Sequence, residues 1–232
     1  MSSAIPALTV SIIIPVLQEE VRVAECVARA RALGPVEVIV VDGGSSDRTR
    51  MLASNADQVL SSPRGRATQM NAGAAAASGE VLLFLHADCW LEPAGLLEIQ
   101  STLFTRPDVV AGGFRQILDH PGWVYRGLEW GNASRVHWPG WIYGDQGLFA
   151  RRSVFETLGG FPNLPLMEDL YFSKQLRTAG GLALLGRHLH VSTRRWEQTG
   201  PLRQTLRNWR FILAAHFGTP LDELVKRYRD VR

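Results

Sequence analysis

Acidic side chains recur where apolar runs end. Glu19 and Glu20 follow Val10–Pro15 (VSIIIP), Asp42 and Asp47 follow Val36–Val41 (VEVIVV), and Asp88 follows Val81–His86. Ligands of open α/β sheets bind outside the carboxyl ends of the strands, so carboxylates at successive ends suggest a polar ligand with a metal or sugar component. Asp and Ser at such places also cap helices routinely. A second kind of acid is the pair Glu168-Asp169. It opens a helical stretch, where a carboxylate can serve as a general base and where the helix macrodipole favours it in any case. Late in the chain, His188 and His190 are candidate ligands or structural hydrogen-bonders, and Arg194-Arg195-Trp196 joins guanidinium groups suited to phosphate to an indole that can cover a sugar or a guanidinium.

The elements that must position these residues alternate in the first half. Val10–Pro15, Val36–Val41 and Val81–His86 read as buried parallel strands. Helices are expected over Gln18–Leu33, stopped by Gly34-Pro35, over Arg48–Ser54, over Gly65–Ser78, and from Pro93 to Phe104. A short strand fits Gln58–Ser61. This β-α-β-α-β order predicts a parallel sheet covered by helices on both faces. The second half is less regular: strands over Val109–Ile117, Gln146–Arg151 and Leu182–Leu185, and helices over Trp123–Val136, from Ser153 to Gly159-Gly160, over Met167–Ala179 and over Pro201–Phe217. Trp123, Trp130, Trp138 and Trp141 suit a sugar-stacking wall and a subdomain core equally well.

Composition narrows the class. The 232 residues are 46% hydrophobic and 20% charged, the balance of a globular chain with a sizeable core rather than a disordered one. Two cysteines, Cys26 and Cys89, allow neither a disulfide framework nor a Cys-rich zinc module. The net charge of +3 conceals an asymmetry: 10 basic and 4 acidic residues lie from Arg187 onward, against 15 and 18 before it. No G-x-G-x-x-G follows the first strand and no P-loop occurs, which disfavours hydride transfer and P-loop chemistry. Val16–Glu20, acidic rather than Gly- and Lys-rich, disfavours a nucleotidyltransferase. No DNA- or RNA-binding motif accompanies the basic tail, so nucleic acid is not an expected partner.

The ordered series Ile14-Pro15 with Glu19-Glu20, Val40–Asp47 (VVDGGSSD), Arg64-Gly65-Arg66 with Gln69–Gly73 (QMNAG), Leu85–Asp88 (LHAD), Gly144-Asp145-Gln146, Glu168-Asp169 and Arg194-Arg195-Trp196 resembles family 2 glycosyltransferases of the GT-A fold. The phrases FLHAD, YGDQGLF and MEDLYFSKQLR are further similar to a compact bacterial branch associated with arsenosugar biosynthesis. The resemblance implies an α/β fold with a mainly parallel sheet over residues 1–200, comprising a nucleotide-binding half (9–105) and an acceptor half (106–200), and a helical appendage over 201–232. It implies an inverting enzyme with Asp169 as base and Glu168 beside the acceptor. Pro15, Glu19, Asp42, Asp47, Arg66 and Asn71 would bind the nucleotide. Asp88 matches the last carboxylate of the family's Asp-x-Asp metal element, whose first place is taken here by His86. Mg²⁺ or Mn²⁺ would be held by Asp88, with His190 or His188 as a further ligand. Asp145, Gln146, Arg195 and Trp196 would serve the acceptor or the diphosphate.

The expected partners are a nucleotide-sugar donor, a small-molecule or lipid acceptor, and a second copy of the chain. Met1–Thr9 lacks a cationic start, and the longest strongly apolar run, Val81–Leu85, falls far short of the ~20 residues that span a bilayer. A cytoplasmic location is expected. In residues 201–217, Arg203, Arg207 and Arg210 accompany Leu202, Leu206, Trp209, Phe211, Ile212 and Leu213, a pattern that fits a solvated helix face, a membrane-surface contact or a subunit contact, with packing of the apolar face on the core as the leading account.

Overall fold

Three apolar runs pair side by side at the centre of the fold. The computed structural model describes residues 8–137, 140–216, 219 and 224. Strand β1 (Val10–Val16) is flanked by β2 (Glu37–Asp42) and β4 (Val81–Phe84), both parallel to it, and β3 (Gln58–Ser61) extends the parallel set beyond β2. Ile12, Ile13, Ile14, Val38–Val41, Leu82 and Leu83 are inaccessible to solvent, as strands covered on both faces require. Helix α1 (Val23–Arg31) packs on one face through Val23, Cys26, Val27 and Ala30. Helix α3 (Arg66–Ala76) packs on the other through Ala67, Met70 and Ala74. The short α2 (Thr49–Leu52) lies between β2 and β3 in the chain.

The sheet continues through the second half. Among the described residues its order is β3-β2-β1-β4-β7-β6-β8-β5, eight strands in one sheet. Here β5 is Cys89–Leu91, β6 is Val109–Leu118, β7 is Phe149–Arg151 and β8 is Gly181–Val191. β7 enters antiparallel between β4 and β6, β6 and β8 are parallel, and β5 closes the edge antiparallel to β8. The helices are α4 (Pro93–Thr105), α5 (Trp123–His137), α6 (Arg152–Thr157), α7 (Glu168–Ala179), α8 (Arg194–Thr199) and α9 (Pro201–His216), with a 3-10 turn at Gly144–Gln146. Phe211 and Ala214 of α9 pack against Leu166, Met167, Leu170 and Leu224, so the C-terminal helix lies against the start of α7.

The expected α/β architecture holds, with instructive local differences. The helix expected from Gln18 begins only at Val23. Gln18 has φ 56°, and its side chain reaches across to the β2–α2 loop, accepting from the amides of Ser46 and Asp47 and donating to Ser46 Oγ. The Gly112-Gly113 pair lies inside β6: a Cβ on Gly112 would lie 2.3 Å from the Ala183 carbonyl and 2.4 Å from the Phe149 ring, so glycine permits close packing there. β7 begins at Phe149 rather than Gln146, because Gln146 ends the 3-10 turn. β8 runs six residues beyond Leu185, through His188 and His190.

Candidate active site

A cleft of about 200 Å³ opens where β4, the 3-10 turn and the start of α7 meet. Its polar wall is formed by Arg66, His86, Asp88, Asp145 and Asp169, and its apolar wall by Leu128, Met167, Val191, Trp196, Trp209 and Phe211. The polar wall lies at the carboxyl end of β4, as the topology rule requires. Arg66 begins α3, Asp145 sits in the 3-10 turn, and α9 contributes Thr205 and Trp209.

Asp169 is oriented by two backbone amides. Its Oδ2 accepts the Gly144 amide at 2.7 Å and its Oδ1 accepts its neighbour Leu170's amide at 2.7 Å. Each carboxylate oxygen keeps a further lone pair for a substrate hydroxyl. Backbone conformation helps aim it: Met167, immediately before α7, has φ 62° and is buried, an uncommon state for a side chain larger than glycine. Gly144 is equally specific. A Cβ there would lie 2.7 Å from His86 Nε2 and 3.4 Å from Asp169 Oδ2, so the absent side chain lets the imidazole and the carboxylate approach one backbone position.

Glu168 is placed differently from its neighbour. It is 2% exposed and pairs with Arg66 Nε at 3.1 Å. Burial pushes its carboxyl up, Arg66 opposes that, and the nearby Asp169 charge adds to it. The pair fixes the guanidinium at the cleft wall. Burial, aided by the Arg66 cation, holds the His86 imidazole below the usual histidine range against the pull of Asp88, Asp145 and Asp169. His86 is therefore a neutral ring at pH 7, bordered by three carboxylates and one guanidinium.

Several expected residues sit elsewhere. Both ring nitrogens of His190 are engaged, Nε2 with Glu92 at 3.0 Å and Nδ1 with Asp119 at 2.9 Å, and its ring stacks on Trp90 with centroids 3.7 Å apart. It stands at the sheet edge, outside the residues that line the cleft. The extension of β8 is the cause, since it pairs His190 with Trp90 at the sheet edge. His188 joins the same edge network through Glu92 and Glu98. The Asn71 side-chain amide donates to the Phe161 carbonyl at 2.8 Å and its oxygen accepts the Phe161 amide at 2.9 Å, a two-point clamp on the loop after α6. Gln146 is buried, with Oε1 accepting the Tyr143 amide and Nε2 donating to the Asn132 carbonyl, so it holds the turn and does not line the cleft.

At the ends of β1 and β2, Asp42 is buried and accepts from Gly44 and Ser45, shaping the turn after β2. Asp47 accepts from the Thr49 and Glu20 amides, and its hydrogen bond to the Thr49 hydroxyl is the main cause that holds its carboxyl below the usual range. Glu19 pairs with Arg22 at 3.0 Å. Pro15 occupies the same strand end, opposite Val41. Asp145 and Trp196 line the cleft. The Arg195 side chain and Trp138 lie outside the described residues. Gln69 stands in the QMNAG stretch. It is buried and donates to the Val16 and Val41 carbonyls at 2.8 and 2.9 Å, tying the two strand ends together. Met167, Thr205 and Trp209 carried no signal pointing to the site.

The donor set suits a divalent cation that takes most of its ligands from substrate and water. Three hard carboxylates, Asp88, Asp145 and Asp169, line the cleft, and Asp169 is already engaged by two backbone amides. Among the described residues no three His, Cys, Asp or Glu side chains converge into a preformed protein cage.

Comparison with known proteins points in one direction. The sequence profile described as Glycosyl transferase family 2 matches residues 11–160. An O-antigen chain rhamnosyltransferase of Salmonella anatum, WbaN, is 29% identical over 174 residues, covering 63% of this chain and 52% of its own. The chain thus spans about half the length of that relative. A PGL/p-HBAD biosynthesis glycosyltransferase of Mycobacterium tuberculosis is 27% identical over 234 residues, covering 95% of this chain and 85% of its own. Among solved structures, Staphylococcus aureus TarS in complex with UDP-GlcNAc superimposes with a TM-score of 0.65 at 16% identity, over 80% of this chain and 58% of that one. A mannosyltransferase of Pyrobaculum calidifontis in complex with GDP-Man and Mn²⁺ gives 0.61 at 21% identity, over 80% and 56%. At these identities the likeness is one of fold, and the fold is GT-A.

Proposed function

The chain belongs to glycosyl transferase family 2, and from that premise we propose that it transfers a sugar from a nucleotide-diphosphate-sugar donor to an acceptor hydroxyl, with Asp169 as general base. The observation that carries this reading is the Asp169 carboxylate, aimed into the cleft by the Gly144 amide on the same wall as Arg66 and Asp88.

The geometry supports a single displacement. An acceptor hydroxyl within reach of Asp169 gives its proton to the carboxylate as its oxygen bonds to the anomeric carbon. The bond from that carbon to the diphosphate oxygen breaks, and its electron pair leaves with the diphosphate. One base and one displacement give inversion at the anomeric carbon. Arg66, fixed by Glu168, places a permanent positive charge at the wall for the anionic donor. A bound divalent cation would neutralise charge on the leaving diphosphate, and Asp88 is the residue that would hold it. Trp196 offers an aromatic face to a sugar ring. Asp42, Asp47, Glu19 and Pro15 shape the loop edge proposed to hold the nucleotide, with Asp42 doing so through the turn it organises.

The donor base, the sugar as hexosyl or pentosyl, and the acceptor are set by loops and pocket shape rather than by the fold. The FLHAD, YGDQGLF and MEDLYFSKQLR phrases make arsenosugar precursors the first acceptors to try. The test is a thermal-shift and diphosphate-release screen of nucleotide sugars with Mg²⁺ or Mn²⁺. At least one donor should raise the melting temperature and be consumed. If a full donor panel neither stabilises the protein nor is turned over, the reading fails.

A further inference from the structure

One face of α9 is not needed by the core. Its inner side is occupied: Gln204 is buried, and Phe211 and Ala214 pack against the start of α7. Its outer side presents Leu206, 65% exposed, and Trp209, 40% exposed, beside the exposed Arg203 and Arg210. At 3.6 residues per turn these four fall within about one third of the helix circumference. Helix α9 contains three arginines and no acidic residue, and the chain from Arg187 onward carries 10 basic and 4 acidic residues.

We propose that this face of α9 docks on the surface of an anionic lipid bilayer. An indole and a leucine flanked by guanidinium groups are the groups that lie at a membrane interface, with the apolar side chains entering the headgroup boundary and the cations meeting lipid phosphates. Charge complementarity selects this occupant. The patch is cationic on a helix without carboxylates, whereas a second copy of the same patch would repel it. No described helix is long and apolar enough to cross a membrane, so α9 would lie in the plane of the surface. A second helix supports the same partner: α5 exposes Trp123 (83%) and Trp130 (77%), seven residues apart on one face, while its Leu128 and Asn132 line the cleft.

Docking has a consequence for the site. Trp209 both lines the cleft and is exposed beside Leu206, so the lip of the cleft belongs to the docking face. A bilayer held there would bring acceptors embedded in it to the cleft. That consequence rests on the glycosyl-transfer reading; the docking does not.

Co-sedimentation of the full chain with vesicles decides the matter. Vesicles of phosphatidylcholine alone should bind little. Vesicles with about one third phosphatidylglycerol should bind well at low salt and release the protein at high salt. The triple variant Arg203→Gln, Leu206→Ser, Arg210→Gln should lose at least tenfold in vesicle affinity, with an unchanged melting temperature and unchanged donor-induced thermal shift. The single Leu206→Ser should lose part of the affinity and guards against a folding defect in the triple. No binding to anionic vesicles at low salt would overturn the proposal, as would full binding by the triple variant. So would a concentration-dependent dimer broken by Leu206→Ser without vesicle binding. An intact donor shift with no vesicle binding sinks the docking alone, and the converse sinks the transferase reading alone.

Discussion

The Gly144 amide donates to Asp169 Oδ2 at 2.7 Å, linking the 3-10 turn before β7 to the first turn of α7. Two segments 25 residues apart thereby set the direction of one carboxylate. An Asn at 169 keeps size and polarity but removes the proton acceptor that the proposed chemistry needs. Asp169→Asn should lower kcat by about 10²- to 10⁴-fold, the usual worth of a positioned base, while donor affinity stays within a few-fold. Steady-state kinetics beside calorimetric donor titration would show it; equal losses in both would make Asp169 a binding group instead.

Gly144 is the tightest point of the same arrangement. In Gly144→Ala the new methyl would meet His86 Nε2 at 2.7 Å and approach Asp169 Oδ2. Relief requires the imidazole to rotate away or the turn to shift, and either disturbs the Asp169 hydrogen bond. Overpacking of this kind costs about 1–3 kcal/mol. A lower urea midpoint together with a loss of turnover is expected; a variant as stable and active as the parent would show that His86 moves freely.

Asn71 separates two roles that the sequence could not. Its position in the QMNAG stretch suggested a nucleotide contact, whereas its amide clamps the Phe161 backbone at both ends. Asn71→Ala removes two hydrogen bonds to a partly buried loop and should cost about 1–3 kcal/mol. Donor affinity of the folded variant should change little. Thermal melts with and without donor distinguish this from a direct contact, which would weaken donor binding with little change in the bare melt.

The parts legible in the sequence are those where local pattern and tertiary role coincide. VSIIIP and VEVIVV are apolar on both faces, and the fold buries both faces. Glu168 and Asp169 begin a helix whose start happens to meet the 3-10 turn, so a capping signal and a site signal fell on the same residues. Legibility failed where a partner distant in sequence decides the outcome. His190 reads as a ligand candidate, and only β5, too short to be read from three residues, shows that its ring stacks on Trp90 at the sheet edge. Gln18 lies in a helical pattern but is pulled into φ 56° by a loop 28 residues away. Trp209 reads as an amphipathic-helix residue, and only the packing of Phe211 on α7 shows that it borders the cleft.

The two cysteines test the packing of one face of the sheet through pH. Burial, with Asp88 and Glu19 nearby, raises the Cys26 thiol from its ordinary 9.0 to about 12, and burial raises Cys89 well above the same value. Neither should react with a thiol reagent at about pH 8 in the native protein, because the thiolate is the reactive form, while both should react in denaturant. The same shift has a stability consequence. Below pH 9.0 the Cys26 thiol is protonated in both folded and unfolded chains and contributes no pH dependence. Between 9.0 and about 12 the unfolded chain loses the proton and the folded one keeps it, so stability falls as pH rises through that window. Cys26→Ala should flatten part of this alkaline decline in a urea midpoint series at several pH values, at the expense of a small cavity against Val23 and Val27. An alkaline decline as steep in Cys26→Ala as in the parent would mean that the thiol is hydrated and that α1 does not seal this face of the sheet.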